Sequence, residues 1–209
     1  MDLQTSKNLG GIGALLLFIG PLVSWLHPFA GLLGIIGFIL VLIALKGLSD
    51  YYNEGSIFNN ALYGFITSIV GAVVSVGIFI GTALVALADL GISDWTDPAQ
   101  WTETFTGDFT GEALNAIFSL LGAAVIAFVV LFIFVVITVW LYRKSLGALA
   151  TKSGVGLFGT TGLILLIGGI LTIIGIGLIL IWIAFLLLTI AFFQLKPTAT
   201  EPAPPPPPS

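Results

Sequence analysis

The apolar runs of this chain, none with a charge in its middle, leave few folds open to it. They are Leu9–Leu26, Phe29–Leu48, about Ala61–Leu90, Leu114–Tyr142 and Leu157–Leu195. A helix needs roughly 20 such residues to cross hydrocarbon about 30 Å thick. Within that layer the backbone must bond to itself, which a helix does without help from neighbours. The reading is an all-α fold, an integral membrane helical bundle. Composition supports it in one respect: only 8% of residues are charged, against roughly 25% in soluble domains, too few to build a surface for water.

The last run is too long for one ordinary crossing and fits two short helices joined around Ile174–Gly177. Six transmembrane helices result, at about 9–26, 29–48, 61–90, 114–142, 157–173 and 177–195. Residues 1–8 then form a cytoplasmic N-terminus, 91–113 an external loop, and 196–209 a disordered, proline-rich cytoplasmic tail. The third and fourth spans exceed one untilted crossing and are expected to tilt or project. Leu15–Gly20 aligns with Leu163–Gly168, and after a one-residue gap Ile43–Leu48 aligns with Ile190–Leu195. The first hairpin therefore reads as a parallel copy of the last. A five-helix alternative discards that repeat and puts Lys196 outside.

Charge orients the bundle. The six basic residues, Lys7, Lys46, Arg143, Lys144, Lys152 and Lys196, all fall on one side in the six-helix reading. The other side receives Asp94, Asp97, Glu103 and Asp108, with Asp89 and Glu112 at the edges. Basic residues stay cytoplasmic, so both termini are expected inside, at a cell membrane. Tyr51, Tyr52, Trp140 and Tyr142 mark the inner interface, and Trp25, Trp95 and Trp101 the outer one.

Residues able to carry chemistry are scarce. The chain has no cysteine and a single histidine, His27, placed in a turn with Pro28. Thiolate chemistry and the common zinc sites are excluded. Asp94, Asp97 and Asp108 read as a solvated acidic loop, with a calcium site as the alternative. No Walker-type phosphate loop is present, and Ser68, Ser75 and Ser119 have no candidate base near them in sequence. No catalytic residue, cofactor or metal is expected, nor an enzyme, nor a nucleic-acid partner. The spans are rich instead in small residues: Gly71 with Ser75, Gly77 with Gly81, and Ala123 with Ala127. In lipid, helices associate where small side chains let backbones approach. These six are the helix-packing candidates, and Gly77 and Gly81 are expected to face Ala123 and Ala127. Pro21 should kink the first helix.

The segment Ala44–Glu54, continuing through Ile57–Gly64, together with Leu9–Ala14, resembles a family of small prokaryotic, chiefly archaeal, multi-pass membrane proteins catalogued as a domain of unknown function. The resemblance implies a prokaryotic plasma membrane and supplies no activity and no catalytic residues. Lys46, Asp50, Tyr51 and Tyr52 are the cytoplasmic-interface candidates: the tyrosines anchor at headgroup level, and Asp50 can pair with Lys46 at i, i+4. The expected function is a non-catalytic structural or interaction component of the membrane. Its partners are the lipid bilayer and either a second copy or another membrane protein. The alternative is a transporter or channel for a small or neutral solute, with Thr67, Ser68, Thr82 and Thr138 as its polar residues. The tail reads as a solvated spacer, with docking to an aromatic groove as the second choice.

Overall fold

A backbone that cannot count on water closes its hydrogen bonds locally, and this chain does so as helix. The computed structural model describes residues 1–24, 31–94, 96–106 and 111–196. Among these the secondary structure is helical, without a strand. The helices are α1 (Leu3–Ser24), α2 (Gly31–Tyr51), α3 (Gly55–Asp89), α4 (Pro98–Thr106), α5 (Gly111–Ser153), α6 (Gly156–Leu171) and α7 (Gly177–Phe193), with a 3-10 turn at Thr172–Ile174. Five helices, α1, α2, α3, α5 and α6 with its following turn, are long and apolar enough to cross a membrane; α7 is as apolar but has 17 residues. Trp25, His27, Pro28, Trp95, Asp108 and the proline tail from Pro197 lie outside the described residues.

Two helices outrun their expected bounds. α3 has 35 residues, about 52 Å at 1.5 Å per residue. α5 has 43, about 64 Å on the same rise. The latter does not stop near Tyr142, because Arg143–Ser153 contains nothing that breaks a helix. Arg143, Lys144 and Lys152 consequently sit on helix and not in a connecting loop. The stop comes at Gly154, whose φ of +72° is unstrained only for glycine. The 91–113 segment also holds helix, α4, started by Asp97. Its carboxylate accepts from the Ala99 N–H at 2.9 Å, with Pro98 at the first helical position.

The chain divides into two units. Unit 1 takes the described residues of Met1–Leu62 and Val139–Ser209, and unit 2 takes Tyr63–Thr138.

In unit 1, α1 packs on α2 and on α7, and α6 on α7. The α1/α2 contact is set by two glycines facing each other. A Cβ at Gly13 would lie 2.6 Å from the Gly37 carbonyl oxygen, and one at Gly37 would lie 2.6 Å from that of Gly13. Only hydrogen fits there on either helix, and dispersion along the close-packed backbones is the gain. Gly10 and Gly11 are closed over by the rings of Phe192 and Phe193. The Trp182 ring stacks on Phe18 with centroids 4.7 Å apart, and its Nε1–H donates to the Phe18 carbonyl at 2.8 Å. That bond falls one residue past the Leu17 carbonyl, which Pro21, having no N–H, leaves without its ladder donor. Phe158 meets Phe192 edge-on at 5.2 Å, in a core with Leu45, Leu48, Ile57, Leu146 and Leu149.

Burial in unit 1 follows the internal sequence match. Gly10, Gly13, Ala14, Leu17 and Gly20 of α1 are buried, and so, at one constant offset, are Phe158, Thr161, Gly162, Leu165 and Gly168 of α6. Gly37, Val41, Ala44, Leu45 and Leu48 of α2 correspond in the same way to Ala184, Leu188, Ala191, Phe192 and Leu195. Matched pairs also touch: Gly20 lies against Gly34 and Gly168 against Ile181.

In unit 2 the buried and half-buried residues of α3 include a row at Gly64, Ser68, Gly71, Ser75, Ile78 and Thr82. Those of α5 include a row at Leu120, Ala123, Ala127, Val130, Phe134 and Thr138. Steps of four and three repeat along both, the period of two helices wound left-handed around each other. Gly71 receives the Phe134 ring, and the Thr138 hydroxyl donates to the Gly64 carbonyl at 3.4 Å. Gly71, Ser75, Ala123 and Ala127 are buried, but Gly77 and Gly81 correct the expectation. They are exposed, and a Cβ on either meets nothing within 4 Å. Their spacing allows close packing, yet the three-and-four rhythm through Gly71 and Ser75 turns them to the opposite side.

Substitution separates the two kinds of glycine. Gly13→Leu or Gly37→Leu should cost about 1–3 kcal/mol or more through overpacking, while Gly77→Leu and Gly81→Leu should be close to neutral. Thermal midpoints in one detergent decide it; equal midpoints for Gly13→Leu and Gly77→Leu would sink this account of unit 1.

Candidate functional site

One end of unit 1 gathers all six basic residues. The Lys7 ammonium donates to the Leu195 carbonyl at 3.0 Å, next to Lys196. Gly47, in the last turns of α2, is filled by Ser6 and Met1, so Lys46 belongs to the same end. Lys46 pairs with Asp50 at 2.6 Å, both about half-exposed, and its ammonium lies 5.6 Å from the Phe58 ring centre.

The turn between α2 and α3 is held by its own side chains. Asn53 takes the left-handed conformation (φ 48°), which asparagine tolerates better than most residues. Ser49 Oγ donates to the Glu54 carbonyl at 2.9 Å, and the Glu54 carboxylate accepts from Ser56 Oγ at 2.7 Å. Lys152, at the end of α5, reaches that carboxylate at 3.3 Å. The Ser56 hydroxyl first, and the Lys152 ammonium after it, hold the Glu54 carboxyl below its usual range. The Tyr51 and Tyr52 rings meet edge-on at 4.9 Å. Burial pushes the Tyr52 phenol above its ordinary value, with Tyr51 adding to it.

α5 joins this end through Ser145, whose hydroxyl donates to the Ile57 carbonyl at 2.5 Å, and through Arg143, whose backbone lies against Gly162. The Tyr142 ring turns inward. It packs edge-on to Phe38 at 5.8 Å, and its buried hydroxyl has no hydrogen-bond partner among the described residues. Trp140 is exposed, with the Lys144 ammonium 3.7 Å from its ring centre.

The structure thus brings Lys46, Asp50, Tyr51 and Tyr52 together at one turn, while the packing candidates Gly71, Ser75, Ala123 and Ala127 lie in unit 2. Sequence reading missed the Glu54–Lys152 pair, Lys7 on Leu195, and Ser145 on Ile57. Partners so far apart in the chain leave no trace in local spacing. Elsewhere, Asp94 accepts from the Thr96 N–H and hydroxyl, and the Thr96 hydroxyl foremost holds its carboxyl below the usual range. Both loop carboxylates, Asp94 and Asp97, therefore serve their own turn. An open cleft of about 480 Å³ in unit 2 is lined by Asp89, Asn115, Ala116 and Ser119. Among the described residues no three His, Cys, Asp or Glu side chains converge to hold a metal.

Residues 33–186 match a family described as "Protein of unknown function (DUF996)". The chain belongs to this family. Uncharacterized protein MJ1644 of Methanocaldococcus jannaschii is 30% identical over 172 residues, 82% of this chain and 80% of that relative. No solved structure matches. The DUF996 match begins inside α2 and ends inside α7, so it takes in the whole α2–α3 turn, Glu54 and Lys152, and excludes α1 with Lys7. No activity comes with the family, and no residue role transfers.

A lowered carboxyl pKa stabilises the fold above the unfolded value, 4.5 for Glu54, and that contribution is lost as pH falls through the folded value. At neutral pH Glu54→Gln should melt below the parent chain. The gap should shrink as pH drops from about 6 to below the unfolded value. Paired melts in one detergent measure it, and a gap that widens toward acid pH would contradict the arrangement.

Proposed function

We propose that this chain is a six-span, non-catalytic component of a prokaryotic cell membrane, with both termini cytoplasmic, that works by packing against other membrane components or a second copy. The observation that carries the reading is the use made of buried hydroxyls. Among the described residues, the buried hydroxyls of Thr138 and Ser145 donate to a carbonyl of another helix, those of Ser6, Ser49, Thr161 and Thr189 donate to a carbonyl of their own helix or turn, and that of Ser75 is unmatched. Hydroxyls whose protons are already given to backbone carbonyls have no donor left to offer a solute. Ser68, expected as a pathway hydroxyl, likewise donates to the Phe65 carbonyl.

Two findings favour six crossings over five. The matched burial of α2 and α7 makes α7 a counterpart of a helix long enough to span, and supports a parallel repeat of the two hairpins. Lys7 bound at Leu195 puts the start of α1 beside the end of α7, as an even number of crossings requires. With all six basic residues at that end, the positive-inside rule turns it to the cytoplasm. The long hairpin helices accommodate their excess length by tilting or projecting. Transport of a small solute is the second reading, favoured by the cleft at Asp89, Asn115 and Ser119.

The chain has no cysteine of its own, so single cysteines report topology cleanly. In intact cells an impermeant thiol reagent should label Thr102→Cys, and should reach Gln4→Cys and Thr151→Cys only after the membrane is opened. Labelling of Gln4→Cys in intact cells would reverse the orientation. For the role itself, the protein extracted in mild detergent should migrate as a defined oligomer or with a stoichiometric partner. A lone monomer that carries solute across liposomes would replace this function with the second.

A further inference from the structure

On one side of α5 the exposed residues run Ile126, Val129, Ile133, Ile137 and Trp140, and the row ends in Arg143 and Lys144. At steps of three and four these side chains form one ridge along the helix. Its apolar part is about half exposed, and its last turn changes abruptly to two cations. Lys46 and Lys152 are matched by Asp50 and Glu54. Arg143 and Lys144 have no acidic partner among the described residues, although carboxylates are available at the same end of unit 1. The Lys144 ammonium lies 3.7 Å over the exposed Trp140 ring, which offers it attraction on one side and leaves its other donors open.

We infer that Trp140, Arg143 and Lys144 form a binding site for the headgroup of an anionic phospholipid. Three features of this surface match such a headgroup. The guanidinium fork suits two oxygens of a phosphodiester, and Lys144 adds a second charge beside it. An indole belongs at headgroup depth. A zwitterionic headgroup offers the same phosphate but brings a quaternary ammonium towards two cations, so the site discriminates by net charge.

The inference rests on the reading of α5 as lipid-facing, and the test separates the two. The full chain in a neutral detergent is titrated with dioctanoyl phosphatidylglycerol, dioctanoyl phosphatidylcholine or inorganic phosphate while its thermal midpoint is followed. Phosphatidylglycerol should raise the midpoint at concentrations about tenfold below phosphatidylcholine, a ratio typical of one well-placed charge contact. R143Q/K144Q, altered at two exposed positions, should lose that preference and keep the phosphatidylcholine response. K46Q/K152Q, which removes equal charge from the same end, should keep the preference. A parent chain that treats both lipids alike, or a preference surviving in R143Q/K144Q or vanishing equally in K46Q/K152Q, overturns the site. An equal shift from inorganic phosphate overturns the lipid as occupant. Absence of any response to phosphatidylcholine counts against the lipid-facing reading itself.

Discussion

Gly13 and Gly37 each press a backbone carbonyl into the space where the other would carry a side chain. Most of unit 1 depends on that contact. It sets α1 and α2 at a separation that admits no methyl group, and so fixes where the opposite side of α1 can meet α7. There the approach is of another kind, with aromatic rings from one helix laid over glycines of the other. Phe192 and Phe193 close over Gly10 and Gly11, and Trp182 lies flat on Phe18. Flat surfaces against rings and backbone against backbone are two solutions to one problem. Lipid gives helices no hydrophobic reason to associate, so contact area and shape must do it.

Unit 2 solves the problem differently. Its two helices share a seam with a step of three and four, in which small residues alternate with one large one, Phe134 over Gly71 being the clearest case. The outward surfaces carry large apolar side chains such as Val73, Phe118 and Val125 that touch little else. Hydroxyls take a structural part in both units. Ser145 and Thr138 each spend their proton on a carbonyl of the facing helix, where an unpaired donor would be costly. Ser75 departs from this pattern: it is buried, and its hydroxyl has no hydrogen-bond partner among the described residues.

Much of this was legible before any coordinates. Runs without charge mark the helices, because a charge inside hydrocarbon is costly enough to be avoided. The Lys46–Asp50 pair follows from a spacing of four on one helix. The likeness of the two hairpins showed as a faint sequence match, and ten of the buried positions pair along it. What could not be read is which side of a helix a small-residue pattern serves. Gly71 with Ser75 and Gly77 with Gly81 have identical spacing; only the first pair lies on the seam, since that depends on the register with α5. The end of α5 was misplaced because the loss of hydropathy after Tyr142 looked like the end of a helix. Helix propensity does not stop where hydropathy does. The direction of the Tyr142 ring was not legible for a related reason: tyrosines are common at interfaces, and composition cannot tell an inward ring from an outward one.

The contact between α1 and α7 has a consequence in time. Chains emerge from the ribosome N-terminus first, so α1 is the earliest helix made and α7 the last. Until synthesis is nearly complete, Gly10 and Gly11 have no ring above them, the indole that reaches the Phe18 carbonyl does not yet exist, and Lys7 has no Leu195 to cap. The first hairpin can close early on its paired glycines, but the enclosure of unit 1 waits for nearly the whole chain. Throughout elongation, therefore, the newborn protein carries an open groove along its oldest helix, which its own final segment fills.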